Sequence, residues 1–339
     1  MSSALRRCVA NSRAKTSGAV PDATQRVALG RTGVQVTRLG LGCAPLGNMF
    51  AALGDEQARA TVEAAWELGL RWFDTAPLYG HGLSEGRLGA VLRVHPRADF
   101  AVATKVGRLL VAGSDPATIF RDTPPVRPQF DFSYDGAMRS LEASLARMGI
   151  DRVDVVHVHD PDEHELDAVD GAFRALRRLR EERVIGAVGA GMNQSAMLTR
   201  FVERGLVDCV LLAGRYSILD QSGMADLLPA AQRAGVAVIA AGVFNSGLLA
   251  DPQPGATFDY APASPERIER AQRLRAVCAD HGVSLRAAAL QFPTRHPGVS
   301  TVLTGARSAA EIRENAHLFA EDIPGDLWAR LLADGLIAE

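Results

Sequence analysis

Lysine is almost missing from this 339-residue chain: of its 37 lysines and arginines, only Lys15 and Lys105 are lysine. An excess of either charge is missing too. The formal net charge is -2 and no basic stripe runs along the sequence, so there is no field to hold a nucleic acid and no such partner is expected. No apolar run approaches the about 18 residues that span a bilayer, so no membrane partner is expected either. The four cysteines, Cys8, Cys43, Cys209 and Cys278, form no CxxC pair and have no histidine at ligand spacing. Neither a disulfide framework nor a metal site is therefore expected, and a reducing cytoplasm fits. Residues 1–24 lack an apolar signal core and any hydrophobic periodicity, and read as a disordered tail ahead of one domain spanning 25–339. Their Arg-rich, acid-poor composition is shared with organellar import peptides. Oligomeric state leaves no mark on the sequence.

What is present is alternation. Short β-branched or apolar runs predict strands at 39–43, 71–74, 100–105, 153–159, 184–189, 207–212, 236–240 and 299–304. Helical periods fall between them, at 55–68, 134–148, 166–180, 265–281 and 309–318, with Gly69, Gly149, Gly235 and Gly282 placed as C-terminal caps. An open dinucleotide-binding sheet would show a GxGxxG turn after its first strand; the glycines of GLGCAPLG at 40–47 have the wrong spacing and no acidic residue suitably beyond them. The pattern predicts an α/β fold, a (β/α)8 TIM barrel. Two alternating runs around Arg31-Thr32-Gly33 predict an N-terminal β-hairpin plugging its lower end. The stretch from Gly107 to Phe132, with four prolines and no helical period, predicts a long loop that shapes access to the catalytic face, and 252–264 is a second such stretch.

In such a barrel the chemistry lies where strands end. Asp74 ends RWFD, Lys105 ends FAVATK and His159 ends VDVVHVH, while Tyr79 follows in the turn-rich segment after Asp74. Each alone has an ordinary use: an aspartate caps a turn, a tyrosine covers a core edge, a strand histidine is buried and satisfied. That last role suits His157, one layer below His159. Four different polar groups at one rim are harder to ascribe to chance, and a lone lysine in an apolar strand of an arginine-rich protein marks a place for a compact ammonium. Tyrosine titrates near pKa ~10 and needs a neighbouring cation to exchange protons near neutrality. Lys105 supplies it, Asp74 pairs with the ammonium, and His159 hydrogen-bonds the substrate oxygen.

The segments DTAPLYG, VATKVG, VDVVHVHDPD and GAGMN resemble the signatures of the aldo-keto reductase superfamily, across essentially all of the chain after the tail. The resemblance implies a (β/α)8 barrel with Asp74, Tyr79, Lys105 and His159 as catalytic tetrad. Within it, GRTGVQVTRLGLGCAPLGN, FDFSYDGAMRSLEASLARMGIDRVD and GVFNSGLLA resemble the bacterial D-threo-aldose (L-fucose) 1-dehydrogenases and their pyridoxal 4-dehydrogenase relatives. It further implies a nicotinamide cofactor, its carboxamide at Asn193, with Met192 in place of the usual serine. Ala241 stands where a tyrosine often underlies the ring, and Phe244, Ser246, Gly247 and Leu248 form the loop over the pyrophosphate. The adenosine half falls to Gly305, Arg307, Glu311 and Asn315, beside a helix start where Ser308 and Glu311 are spaced as a capping box. An acid at 311, where NADP-dependent members often carry arginine, favours NAD over NADP. The expected reaction is oxidation of a sugar at C1 to its lactone, with a small carbonyl or sugar substrate. Pyridoxal oxidation, general aldehyde or ketone reduction, a cofactor-binding regulatory barrel with little turnover, and a Schiff-base aldolase using Lys105 are the alternatives.

Overall fold

A computed structural model describes residues 20–338. Eight parallel strands close into a barrel in sequential order: β1 (Leu39–Gly42), β2 (Trp72–Asp74), β3 (Ala101–Val106), β4 (Val155–His159), β5 (Ala187–Met192), β6 (Cys209–Ala213), β7 (Ala237–Ala241) and β8 (Val299–Gly305). Side chains alternate across each strand. Those pointing outward meet the helices in a large apolar core, and those pointing inward fill the barrel with a second cluster that includes Trp72, Ala103, Val155, Cys209, Leu211, Ile239 and Leu303.

The expected hairpin is present, pairing Arg26–Ala28 with Gln35–Thr37, and its Leu29, Val34 and Val36 join the inner cluster. They close the lower end with hydrocarbon. The tail assigned to 1–24 lies mostly outside the described residues, but its last part packs: Ala23 is buried and its carbonyl accepts from the Leu39 amide at 3.1 Å.

Three elements differ from expectation. Strand five lies three residues later, because the preceding helix runs to Glu181 and Arg183 turns the chain with φ 61. Val184 and Ile185 thus belong to the helix stop, where both amides donate to the Leu179 carbonyl. The single helix expected over 166–180 is broken by a π-turn at Ala168–Ala172. There the Phe132 carbonyl accepts from the Ala172 amide at 2.7 Å, taking a donor from the helix ladder. Finally, the stretch 107–132 is no irregular loop: Arg108–Ala112 and Val126–Phe130 form an antiparallel ribbon above the barrel mouth. The shorter stretch 252–264 likewise holds a ribbon, Thr257–Phe258 with Ala261–Pro262.

Candidate active site

Register brings the tetrad together. Asp74 ends β2 and lies beside Ala103 of β3, Lys105 lies beside His157 of β4, and His159 lies beside Gly191 of β5. Asp74, Lys105 and His159 of the tetrad, with His157, point into the upper barrel from their strands and are buried. His157 takes the deeper layer, as expected. It fits only because residue 189 is glycine: a Cβ there would stand 2.1 Å from its Nδ1. The expected hydrogen-bond partners for His157 are absent among the described residues; neither ring nitrogen has one, and Nε2 stays 3.9 Å from Asp74 Oδ1. Tyr79 sits in the turn after β2, which is pinned on both sides. Gly80, with φ 64, packs so closely on Gly47 that a Cβ would lie 2.4 Å from the Gly47 carbonyl oxygen, and Ser84 Oγ donates to the Cys43 carbonyl at 2.7 Å.

Lys105 Nζ donates to Asp74 Oδ2 at 2.6 Å and to the Thr75 carbonyl at 2.9 Å, and lies 4.6 Å from the centre of the Tyr79 ring. Burial alone would push this ammonium down, but Asp74 and then Tyr79 raise it above an ordinary lysine. It stays charged. Burial pushes the Tyr79 phenol up and outweighs the pull of Lys105 downward, with Asp74 adding to the rise. The ammonium therefore acts in the expected direction without prevailing in the protein alone. The His159 ring meets Tyr79 edge-on at 5.8 Å. Burial, then Arg108, Lys105 and His157, hold its imidazole well below the usual range, so it is neutral at physiological pH.

Above the tetrad a cleft divides at Tyr79 and Asn193. One arm encloses about 540 Å³ and is walled by Leu78, Phe120, Arg108, His159 and Asp160, a size suited to a small molecule. The other is lined by Ala241, Ser246 and four glycines, Gly42, Gly214, Gly242 and Gly305. Small residues make up much of its lining, and one of them, Gly305, ends β8 shortly before the helix Ala309–Phe319 starts. This arm encloses about 170 Å³, less than a whole dinucleotide requires, so its residues border one portion of such a ligand at most. At the helix start, Ser308 Oγ accepts from the Glu311 amide at 3.1 Å and Glu311 Oε2 accepts from the Arg307 amide at 2.7 Å. Glu311 is thus a cap reaching one residue farther back than a standard capping box, and Arg307 is exposed beside it.

The residues read from the resemblance do not all face this groove. Asn193, Ser246 and Gly305 line it. Phe244 is half-buried against the main core, Gly247 is exposed, and Leu248 is fully buried in that core. Asn315 is buried as well, its amide committed to Thr304 Oγ1 at 3.1 Å and the Gly305 carbonyl at 3.3 Å, so it ties the helix to β8 rather than opening on the groove. The sequence reading missed Asn245, whose amide donates to the Gly214 carbonyl at 3.0 Å in the groove wall. It also missed Asp259 and Tyr260 at the turn of the small ribbon. The Arg215 guanidinium grips Asp259 with both arms, the Tyr260 amide donates to Ser246 Oγ at 3.1 Å, and Tyr260 borders both arms of the cleft. Asp259 and Tyr260 both have positive φ; no motif in 252–264 signals that.

The Aldo/keto reductase family matches residues 38–333. The chain is 43% identical to a pyridoxal 4-dehydrogenase of Microbacterium luteolum, covering 93% of this chain and 99% of that protein. It is 42% identical to a D-threo-aldose 1-dehydrogenase of Pseudomonas sp, covering 90% and 96%. Among solved structures, a holo-form aldo-keto reductase from Bacillus halodurans superposes with a TM-score of 0.74 at 25% identity, covering 93% of this chain and 97% of that one. With the barrel, the strand-end cluster and these similarities in agreement, this chain belongs to the aldo/keto reductase family and is an NAD(P)-dependent oxidoreductase of CH–OH and carbonyl groups.

Proposed function

We propose that the protein oxidises an aldose at C1 to the lactone, with NAD as the preferred acceptor. The observation that carries this reading is the charged Lys105 ammonium held between Asp74 and Tyr79 at the cleft floor. In this reading the hemiacetal hydroxyl loses its proton to the Tyr79 oxygen while C1 loses a hydride; bound nicotinamide supplies the hydride acceptor. Lys105 stabilises the phenolate that Tyr79 must form to take the proton, Asp74 keeps the ammonium charged and aimed, and neutral His159 binds the sugar oxygen. Run backwards, the same groups reduce a carbonyl. Asn193 and Ser246 would hold the dinucleotide, and Glu311, an anion at the adenosine end, would repel a 2′-phosphate. An enzyme of this kind working on free sugars belongs in the cytoplasm.

Oxidation of pyridoxal is the second reading. It draws on the Microbacterium luteolum relative and on the aromatic wall that Phe120 sets 6.2 Å from the Tyr79 ring. A Schiff-base aldolase is disfavoured, because a lysine whose ammonium is stabilised by a carboxylate at 2.6 Å is a poor nucleophile.

The test is reduced-cofactor formation from L-fucose, D-arabinose, pyridoxal and simple alcohols, each with NAD and with NADP. Aldose oxidation with NAD at the highest kcat/KM supports the proposal. Pyridoxal as the best substrate overturns it in favour of the second reading. Tyr79→Phe should lower kcat by about 10³-fold with dinucleotide binding retained; turnover unchanged by that substitution would remove Tyr79 from the chemistry.

A further inference from the structure

Asp160 follows His159 directly and opens on the substrate arm of the cleft, yet the chemistry above gives it no task. Its φ of 43 turns the chain out of the strand direction, a conformation aspartate tolerates better than most side chains. Its Oδ2 accepts from Arg108 Nη2 at 2.9 Å. Its Oδ1 accepts no hydrogen bond from any described residue. Arg108 is itself incompletely used, because its Nε is buried without a partner. Burial raises the Asp160 carboxyl to about 6, with Arg108 opposing and Asp162 reinforcing the rise, so the group is largely ionised at neutral pH. The side chain is 27% exposed, so water can serve its spare lone pairs in the free protein, and a ligand that displaces that water must bring donors of its own. Of the other carboxylates lining this arm, Asp162 accepts from Gln194 at 2.5 Å, and Asp115 stands 3.4 Å from His81 without a hydrogen bond; Asp160 differs from both in following the catalytic His159 directly and in being held by an arginine. Met49, Leu78, Ile119 and Phe120 give the same arm an apolar part.

We infer that Asp160, anchored by Arg108, selects polyhydroxylated substrates by accepting hydrogen bonds from hydroxyl groups next to the reacting carbon. A sugar matches this asymmetry, offering hydroxyl donors along one edge and C–H groups to the apolar part. A substrate without those hydroxyls would leave the carboxylate unpaired once water is displaced, and such a loss discriminates strongly. A purely orienting role for Asp160 on His159 is weaker on geometry, since their closest atoms are 3.5 Å apart, too far for a firm hydrogen bond. The inference deepens the aldose reading by naming the group that recognises the substrate class.

The test compares reduction of D-glyceraldehyde with that of propanal, the same three-carbon chain without hydroxyls, by wild type and Asp160→Asn. Asparagine tolerates the same backbone conformation. Wild type should prefer glyceraldehyde by at least about tenfold in kcat/KM, and Asp160→Asn should lose about tenfold or more on glyceraldehyde while changing propanal by less than about threefold. Equal losses on both aldehydes would assign Asp160 to positioning His159 and overturn the inference. A wild type indifferent to the hydroxyls would overturn it without any variant. If Asp160→Asn does not fold, Arg108→Gln, which frees the carboxylate from its anchor, serves in its place and should narrow the same preference. Failure of the aldose panel together with a hydroxyl preference here would reject lactone formation and leave this inference standing.

Discussion

The two ends of the barrel are built on opposite physical terms. At the lower end, Leu29, Val34 and Val36 of the hairpin close the strands with hydrocarbon, and the inner cluster around Trp72, Ala101 and Ala237 holds no charge. At the upper end lie a buried ion pair, two buried histidines and a half-buried carboxylate. Backbone conformation follows the same division. Ten non-glycine residues among those described have positive φ, and only Arg183 of them lies in a turn leading into a barrel strand; Phe50, His81, Asp160, Asn245, Ser246, Asp259 and Tyr260 crowd the mouth. Sparsely populated conformations cost of order 1 kcal/mol or more each and persist where surrounding structure holds them. The lower end secures the fold, and the upper end spends part of that stability on placing groups that would otherwise be solvated.

The contrast can be broken most forcefully at Lys105. Lys105→Met removes the cation and leaves Asp74 buried without its partner, which should destabilise the protein by about 3–5 kcal/mol and abolish turnover. Denaturant titration and steady-state rates measure the two effects separately. A stable, active Lys105→Met protein would show that the upper end does not depend on this pair. Leu29→Ala probes the other end. Removing a fully buried leucine from the plug should cost about 2–5 kcal/mol yet leave kcat of the remaining folded enzyme unchanged, and a fall in kcat would mean that the two ends are mechanically coupled.

The smallest effect sharpens the picture through pH. Burial raises Asp160 to about 6, above the about 3.9 of an unfolded chain. The folded state therefore holds this proton more tightly, and the stability it confers is full below about pH 4 and lost as pH rises through about 6. Asparagine imitates the neutral acid. Asp160→Asn should accordingly raise the melting temperature relative to wild type near pH 7.5 and make no difference near pH 4; linkage sets a ceiling of roughly 3 kcal/mol, which solvent screening of this partly exposed group reduces to about 1 kcal/mol. A gain of the same size at both pH values would show that the carboxylate carries no cost at the barrel mouth.

Much of this was legible in the sequence because it is local. Apolar runs ending in Asp74, Lys105 and His159 marked both the strands and the rim, and the Ser308–Glu311 spacing marked a real cap. Strand five was misplaced because Val184 and Ile185 read equally well as strand residues or as the apolar stop of a helix; only the Leu179 carbonyl decides. The ribbon within 107–132 was unreadable for a similar reason: prolines hide its alternation, and its pairing joins residues that chain order does not mark as neighbours. Asn315, predicted at the cofactor, turned inward because its amide found Thr304 and Gly305.

Residue order alone determined that the barrel has eight strands and that a single compact cation stands among strand-end acids and imidazoles, since each follows from side-chain period and type along the chain. Tertiary structure decided what those groups experience. Whether burial or Lys105 governs the Tyr79 phenol, whether His157 finds a partner, and which Asp160 oxygen stays free all depend on how far water is excluded and which atoms from distant segments arrive, and neither is written in local sequence.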